Sequence, residues 1–349
     1  MRKAALLYNP VSGGSRIPRH AELESVLALL RSSGVEAELV LCQSPEHAKE
    51  QARRAMLSGC DTIFACGGDG TVHDIVQVLA KSAVALAILP MGTGNTLAHD
   101  LRLPFDLVAA AETALRASPR RIALGQLEYF DLQGKPSASY FIVAAGAGVD
   151  AHLFHKLRPA AKQRLGMGAY YMKAWHLWFT HIMIRFMAEY VETGAGSAKQ
   201  ANVTELMAVR IRNFGGVLQE LAPGASLDRD ELRVVICRTA SRLAYLLYVT
   251  RGLLRRNWTI PGIELAYSKR VSCRYLAAAS TNAGPEVQPP VYVEADGELL
   301  GTLPAEITIV PEAIPGPGAG IHVLLSLSPL EYCYSRSTCM PNPRRQRSF

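Results

Sequence analysis

A chain of 349 residues with 49% apolar and 19% charged positions is an ordinary globular protein with material for about two domains. Its 37 Lys and Arg against 30 Asp and Glu give a net charge of +7, which favours acidic partners such as nucleotides, nucleic acid or an anionic membrane. The seven cysteines are scattered without a CxxC pair or metal-like spacing, which suggests neither a disulfide framework nor a zinc site and fits a reducing cytoplasm.

The N-terminal apolar run in MRKAALLYNPVSGG is too short for the core of a signal peptide, so no export is expected. Apolar runs then alternate with helical patterns. The expected order is strand Ala4 to Tyr8, helix Arg19 to Ser32, strand Ala37 to Cys42, and a helix opened by Ser44, Pro45 and Glu46. Strand Thr62 to Cys66, helix Val72 to Lys81, strand Val84 to Leu89 and a helix after Asn95 follow. Such alternation specifies a parallel sheet covered on both faces. Val72, Ile75, Val76 and Leu79 fall on one helical face, which pins that helix to the sheet.

From about residue 122 the pattern turns strand-like, in YFIVAA, ELMAVRIR, ELRVVICR, RVSCRYLA, PPVYVEA and EITIVPE. The expectation is a three-layer α/β domain over residues 1–122 and an antiparallel, β-sandwich-like domain over 123–313. Residues 314–334 would pack back on these domains, and 335–349 would form a disordered basic tail. Two helical segments, Lys162 to Tyr190 and Arg242 to Trp258, interrupt the β region, and Thr281 to Pro290 reads as a flexible loop.

Three of the expected parallel strands end in loops of small residues: YNPVSGGSR, ACGGDGT and LPMGTGNT. Ligands of open α/β sheets sit beyond the carboxyl ends of the strands. Glycine lets backbone N–H groups approach an oxyanion, and following helices add their positive ends. Three such loops at one sheet edge specify a phosphate site, although each alone would pass as a tight turn. The GxxxxGK[ST] loop is absent, and the GxGxxA string at Gly146 to Ala151 lacks the flanking βαβ unit, so it reads as a turn. In DGE at Asp296 to Glu298, the Asp-Gly pair is accounted for by hairpin chemistry alone.

The combination of NPVSG at Asn9 to Gly13, GGDGTVHDIV at Gly67 to Val76 and PMGTGNTLAHDLRLP at Pro90 to Pro104 resembles the diacylglycerol kinase catalytic-domain family, the bacterial lipid kinases related to sphingosine and ceramide kinases. GAGVDA, LGMGAYY, NFGGVLQELAPGASLD and EADGELLGTLPAEITIVPEA continue the likeness in order, to about residue 313. The resemblance implies ATP in a cleft between the two domains and transfer of its γ-phosphate to a lipid hydroxyl. It implies that Asn9, Thr71, Thr93 and Asn95 contact the nucleotide, that Gly67, Gly68, Gly70 and Gly92 supply backbone, and that Asp69 organises Mg2+. It also assigns Glu298 as the general base for the lipid hydroxyl, which adds a catalytic role to the turn reading.

The chain departs from the family pattern at His73 and Asp74, at Thr96, and at Arg229, which stands where a metal-network aspartate is expected. Asp228 and Asp230 are the candidates to substitute as metal ligands. Lys156, Arg158, Lys162 and Arg164 precede a run rich in Tyr, Trp, Met and Phe, which reads either as a docking segment for an anionic membrane surface or as a helix packed on the β domain. Lys173, His176, His181 and Arg185 break that run, so it does not span a bilayer. The expected protein is cytoplasmic and peripherally attached to the inner face of the membrane, with a lipid substrate, no nucleic-acid partner and, as in some members of the family, a homodimer. An NAD-kinase-like soluble kinase and a catalytically silent nucleotide- or lipid-binding protein are the alternatives.

Overall fold

Three apolar runs near the N-terminus are long enough to be strands and too short to be helices, and each is buried end to end. The computed structural model describes residues 1–10, 19–149, 151, 183–215, 220–254, 256, 258–276, 289–310 and 320–325. Strand β1 (Lys3–Tyr8) leads to α1 (His20–Ser32), β2 (Glu36–Leu41), α2 (Pro45–Leu57), β3 (Thr62–Gly67), α3 (Asp69–Leu79) and β4 (Ala85–Pro90). Two further helices, α4 (Thr96–Asp100) and α5 (Leu107–Arg116), complete this part. The strands lie in the order β2-β1-β3-β4 and all run parallel.

Alternate strand residues feed two different cores. Ala4, Leu6, Phe64 and Leu89 pack against Leu23, Val26 and Leu30 of α1 and Leu107 and Ala111 of α5. Ala5, Leu7, Ile63 and Ile88 pack against Ala52 of α2 and Ile75, Val76 and Leu79 of α3. The period of two along each strand therefore meets a helix stripe on either face, as a doubly covered parallel sheet requires. Caps written in the sequence start the helices: Ser44 Oγ accepts from the His47 N–H at 3.1 Å and Asp106 Oδ1 from the Ala109 N–H at 2.8 Å.

Strand β5 (Ser118–Asp131) joins the two halves of the molecule. Its first half pairs antiparallel with the late strand β15 (Gly320–Leu325), which also runs parallel to β4. Its second half pairs with β6 (Pro136–Phe141) and with β14 (Glu298–Val310). The remaining strands are β7 (Ala144–Gly148), β8 (Phe186–Glu192), β9 (Ala198–Val203), β10 (Glu205–Val209), β11 (Leu232–Cys237), β12 (Ile263–Arg274) and β13 (Tyr292–Ala295), with α6 (Arg242–Leu253) after β11. Strands β14-β13-β7-β10-β11-β12 are linked in that order by antiparallel pairing, and β12 pairs back onto β14 between Arg270↔Thr308 and Cys273↔Ala305. The antiparallel region thus closes on itself around a third core that includes Phe141, Phe186, Leu206, Val234, Val271 and Ile307.

Three expected boundaries change. Helix α3 opens at Asp69 rather than Val72, because Gly68 serves as its cap residue and the helix begins directly on the glycine loop. Helix α6 ends at Leu253. Phe186 to Tyr190, expected as the end of a helix, form part of β8, where they pair with β9 and β12. The rest of that helix up to residue 182, most of the loop expected from Thr281 and the basic tail lie outside the described residues.

Candidate active site

Strand order reverses between β1 and β3, since β2 lies on one side of β1 and β3 on the other. Open α/β sheets place their ligand sites outside the carboxyl ends of the strands at such a switch. Asn9 follows β1, Gly68 to Thr71 follow β3, and Met91 to Asn95 follow β4, so all three small-residue loops begin at this edge. The second and third touch through bare backbone. A Cβ on Gly92 would lie 2.4 Å from Gly68 Cα and 2.7 Å from Asn95 Oδ1, so only glycine permits that approach. Gly92→Ala is expected to lower stability by about 1–3 kcal/mol through overpacking. Urea denaturation would check this.

The polar side chains of these loops hold one another. The Asp69 carboxylate accepts the Thr96 N–H at 2.7 Å through Oδ1 and the Thr96 hydroxyl at 3.3 Å through Oδ2, which ties the start of α3 to the start of α4. Burial raises the Asp69 pKa above the ordinary carboxylate value, against the lowering effect of these donors. Thr96, which departs from the family pattern, therefore supplies two donors to the acid. Asn95 sits in the left-handed region at φ 49° and exchanges two 2.8 Å hydrogen bonds with the Gly92 backbone, its Oδ1 accepting and its Nδ2 donating. Asn9 Nδ2 donates to Thr71 Oγ1 at 3.4 Å, while Thr93 stands exposed at the loop tip. Gly67 packs directly beneath the Thr71 side chain.

The β13–β14 hairpin supplies a second wall. Its two central residues, Asp296 at φ 51° and Gly297 at φ 83°, both have positive φ, as a tight two-residue hairpin requires. The Asp296 carboxylate does more than turn the chain. It accepts the N–H groups of Ile142, Val143 and Ala144 at 3.1, 2.8 and 3.2 Å and pairs with His73 Nδ1 at 3.2 Å. Both side chains of that pair are buried. Gln77 continues the network, its Nε2 donating to Tyr140 O and its Oε1 accepting from Tyr140 N, each at 2.8 Å. The turn, α3 and the start of β7 are thereby fastened together.

That fastening delivers Glu298 to the glycine loop. A Cβ built on Gly70 would lie 2.9 Å from Glu298 Oε1, so the carboxylate stands directly over the GGDG backbone. Glu298 is exposed as a whole, but the protein around its carboxylate displaces enough water to hold its pKa above the usual glutamate range, with His73 opposing the rise and Asp74 and Asp296 adding to it. Asp74, itself raised by burial, pairs with Lys49 at 3.3 Å.

Burial is the largest single influence on His73 and pulls its pKa down, but the hydrogen bond and charge of Asp296, together with the charges of Asp74 and Glu298, outweigh it for a net rise. A histidine with a raised folded pKa contributes its charge-linked stability below the unfolded value of about 6.5 and loses it as pH climbs through the folded value. The stability gap between wild type and His73→Phe is therefore expected to be widest near pH 6 and to narrow toward alkaline pH. Denaturation at a series of pH values checks this.

Asp228 and Asp230 are placed elsewhere in the loop before β11. Asp228 pairs with Arg120 at 2.7 Å, and Arg229 turns toward Glu231 at 3.6 Å and the Tyr267 ring. Among the described residues no three His, Cys, Asp or Glu side chains gather as a metal cluster, so Asp69, Asp228 and Asp230 are not brought together. Gly13, Gly14 and the basic-aromatic segment up to residue 182 lie outside the described residues.

Residues 3–127 match the diacylglycerol kinase catalytic domain. The match covers β1 to most of β5, and so takes in all three glycine loops. Similarity to curated proteins extends further. A diacylglycerol kinase of Bacillus subtilis is 28% identical over 309 residues, 88% of this chain and 93% of the relative. One of Staphylococcus carnosus is 26% identical over 87% of this chain and 91% of the relative. The chain shares its fold with a diacylglycerol kinase from Bacillus anthracis str. Sterne, at a TM-score of 0.62 and 16% identity over 93% of this chain and 97% of that one. A second solved chain from that organism gives a TM-score of 0.67 at 18% identity over 93% and 96%.

Proposed function

We propose that the protein is an ATP-dependent lipid kinase that transfers the γ-phosphate to the hydroxyl of a diacylglycerol-like or sphingoid acceptor. The observation that carries this is the placement of Glu298, whose carboxylate with a raised pKa stands over Gly70 in the glycine loop of the kinase domain. In the reaction the acceptor oxygen forms a bond to the γ-phosphorus, the bond from that phosphorus to the ADP oxygen breaks, and the hydroxyl proton passes to Glu298. Backbone at Gly67, Gly68, Gly70 and Gly92 would face phosphate oxygens, helped by the α3 N-terminus. Asn9, Thr71, Thr93 and Asn95 would contact the nucleotide, Asn95 mainly by holding Gly92 in place.

Mg2+ fits this site only as a passenger of the nucleotide. Asp69 is the carboxylate within the described glycine loops, and its Oδ2 takes the Thr96 hydroxyl at a long 3.3 Å, while Asp228 is held by Arg120. One carboxylate binds Mg2+ well when substrate phosphates supply further oxygens, and the ion neutralises their charge. Calorimetry is therefore expected to detect no Mg2+ binding to the protein alone and clear binding in the presence of a non-hydrolysable ATP analogue.

The working division places ATP on residues 1–122 and the acceptor on 123–313, with the membrane reached peripherally from the cytoplasmic side and a homodimer as the proposed assembly. No helix among the described residues is long and apolar enough to cross a membrane. Incubation with γ-labelled ATP, Mg2+ and a total lipid extract in mixed micelles tests the reading. A labelled lipid is expected, and its mobility identifies the acceptor class. ATP binding without any labelled lipid would instead favour a soluble acceptor or a silent binding protein.

A further inference from the structure

Helix α6 is apolar on both sides. Its inner face carries Ala244, Tyr248, Arg251 and Gly252, all buried. Its outer face carries Leu243, Leu246 and Leu247, and the cap residue Leu254 continues the same stripe at i, i+3, i+4 and i+11, all exposed. A helix seated on a globular core shows polar residues outward, so a stripe of exposed leucine marks a contact surface. Trp258 lies just beyond the helix and is 46% exposed.

Charge and an adjoining cleft indicate what covers the stripe. Between Glu231 and Glu264 the sequence holds six arginines and no Asp or Glu. A cleft of about 580 Å3 opens where α6 ends, lined in part by Arg233, Tyr248, Arg251, Trp258, Ile260 and Leu265. Arg251 is 7% exposed and its guanidinium lies 4.4 Å from the Tyr248 ring centroid; among the described residues its Nε has no hydrogen-bond partner, and its other nitrogens reach Trp258 O at 3.5 Å and Leu221 O at 3.4 Å. The acids of the cleft, Glu192 and Glu264, are matched by Lys199 and Arg238. Arg233 is committed to Pro223 O at 2.8 Å and to the Tyr267 ring. Arg251 therefore stands buried with a donor to spare and no carboxylate partner among the described residues, which is the chemistry of an anion site.

We propose that α6 docks the protein on an anionic bilayer, its exposed leucines lodged in the interfacial layer and Arg251 receiving a lipid phosphate. Interfacial helices pair an apolar stripe with arginine, and tryptophan settles at the headgroup level, as Trp258 would. Arg242 at the start of the helix and Arg256 just past its end, both exposed, add attraction to acidic lipids. The inference builds on the lipid-kinase reading, which needs a bilayer within reach. Its test uses neither nucleotide nor acceptor, so either can fail alone.

The full chain is sedimented with vesicles of phosphatidylcholine alone or mixed with phosphatidylglycerol. Wild type is expected to bind the mixed vesicles and not the neutral ones. The triple variant Leu243→Ser, Leu247→Ser, Leu254→Ser should bind roughly tenfold more weakly or worse while melting as wild type does. Arg251→Gln should lose the preference for phosphatidylglycerol and Arg251→Lys should retain most of it. Wild type that ignores the mixed vesicles, or variants that bind them as wild type does, would overturn the proposal. So would a triple variant that melts earlier, or changes its mass in solution without vesicles, because the leucines would then be covered by protein.

Discussion

Glu298→Gln is expected to lower the turnover of lipid phosphorylation by about 10²- to 10⁴-fold, the usual contribution of a positioned general base, while leaving ATP affinity close to that of wild type. The amide keeps the shape and loses the proton acceptor. Steady-state kinetics with separate nucleotide titration would show a fall in kcat without a matching change in nucleotide binding. The pH profile supplies a second check. Displaced water and the neighbouring Asp74 and Asp296 hold the Glu298 carboxyl above the ordinary glutamate value. The acid limb of kcat/KM should accordingly fall at a pH higher than the roughly 4.3 of a free glutamate, because the base must be ionised to act. The Gln variant should lack that limb. An unchanged turnover in Glu298→Gln would remove Glu298 from the chemistry and leave the hairpin as scaffold.

How much of this arrangement could be read from the chain depends on how local each requirement is. The parallel sheet was legible because β1, β3 and β4 are continuous apolar runs and Ser44 and Pro45 mark the start of a helix, all within a few neighbouring residues. The glycine loops were legible because close backbone approach is recorded as residue identity, as at Gly68 and Gly92. Helix α5 carried an equally local signal, Asp106 before an alanine-rich stripe, that the sequence reading passed over. The end of the expected Lys162 to Tyr190 helix was misassigned because Phe186 to Tyr190 continue an aromatic and Met-rich run whose pairing partners, β9 and β12, lie far along the chain.

Side-chain roles at the site were less legible for the same reason. Asp69 resembles a free acid among glycines, but its donors come from Thr96, 27 positions later. His73 looked like a tolerated departure from the family pattern and Asp296 like turn chemistry. Their hydrogen bond spans 223 positions, and only the fold reveals that it fastens the hairpin carrying Glu298 to α3. The exposed leucines of α6 gave no local signal, since an apolar helix is core unless its surroundings leave one face bare.

The most consequential residue absent from any motif is Arg210, which follows β10 and is fully buried. Its guanidinium donates to the carbonyls of Arg229, Glu231 (3.0 Å), Ala123 (3.0 Å) and Leu227 (3.2 Å), and so pins the loop bearing Asp228 and Asp230 to the middle of β5. Burial pulls its pKa down to about 10, which leaves it charged at neutral pH. Two opposing effects decide the outcome of Arg210→Leu. Removing a buried charge relieves its desolvation. Against that, the carbonyls lose their donors, and each buried acceptor left unpaired costs about 1–3 kcal/mol. Ala123 sits inside the β5 layer and Leu227 is itself buried, so water cannot readily replace the guanidinium at both. The net loss is therefore expected to be about 2–4 kcal/mol, measured as a lower urea midpoint at unchanged denaturant dependence. Arg210→Lys should recover only part of it, because a single ammonium has three donors and cannot span the planar fork that reaches both sides of the loop. A leucine variant as stable as wild type would show that the loop finds its own hydrogen bonds and that Arg210 does not hold it.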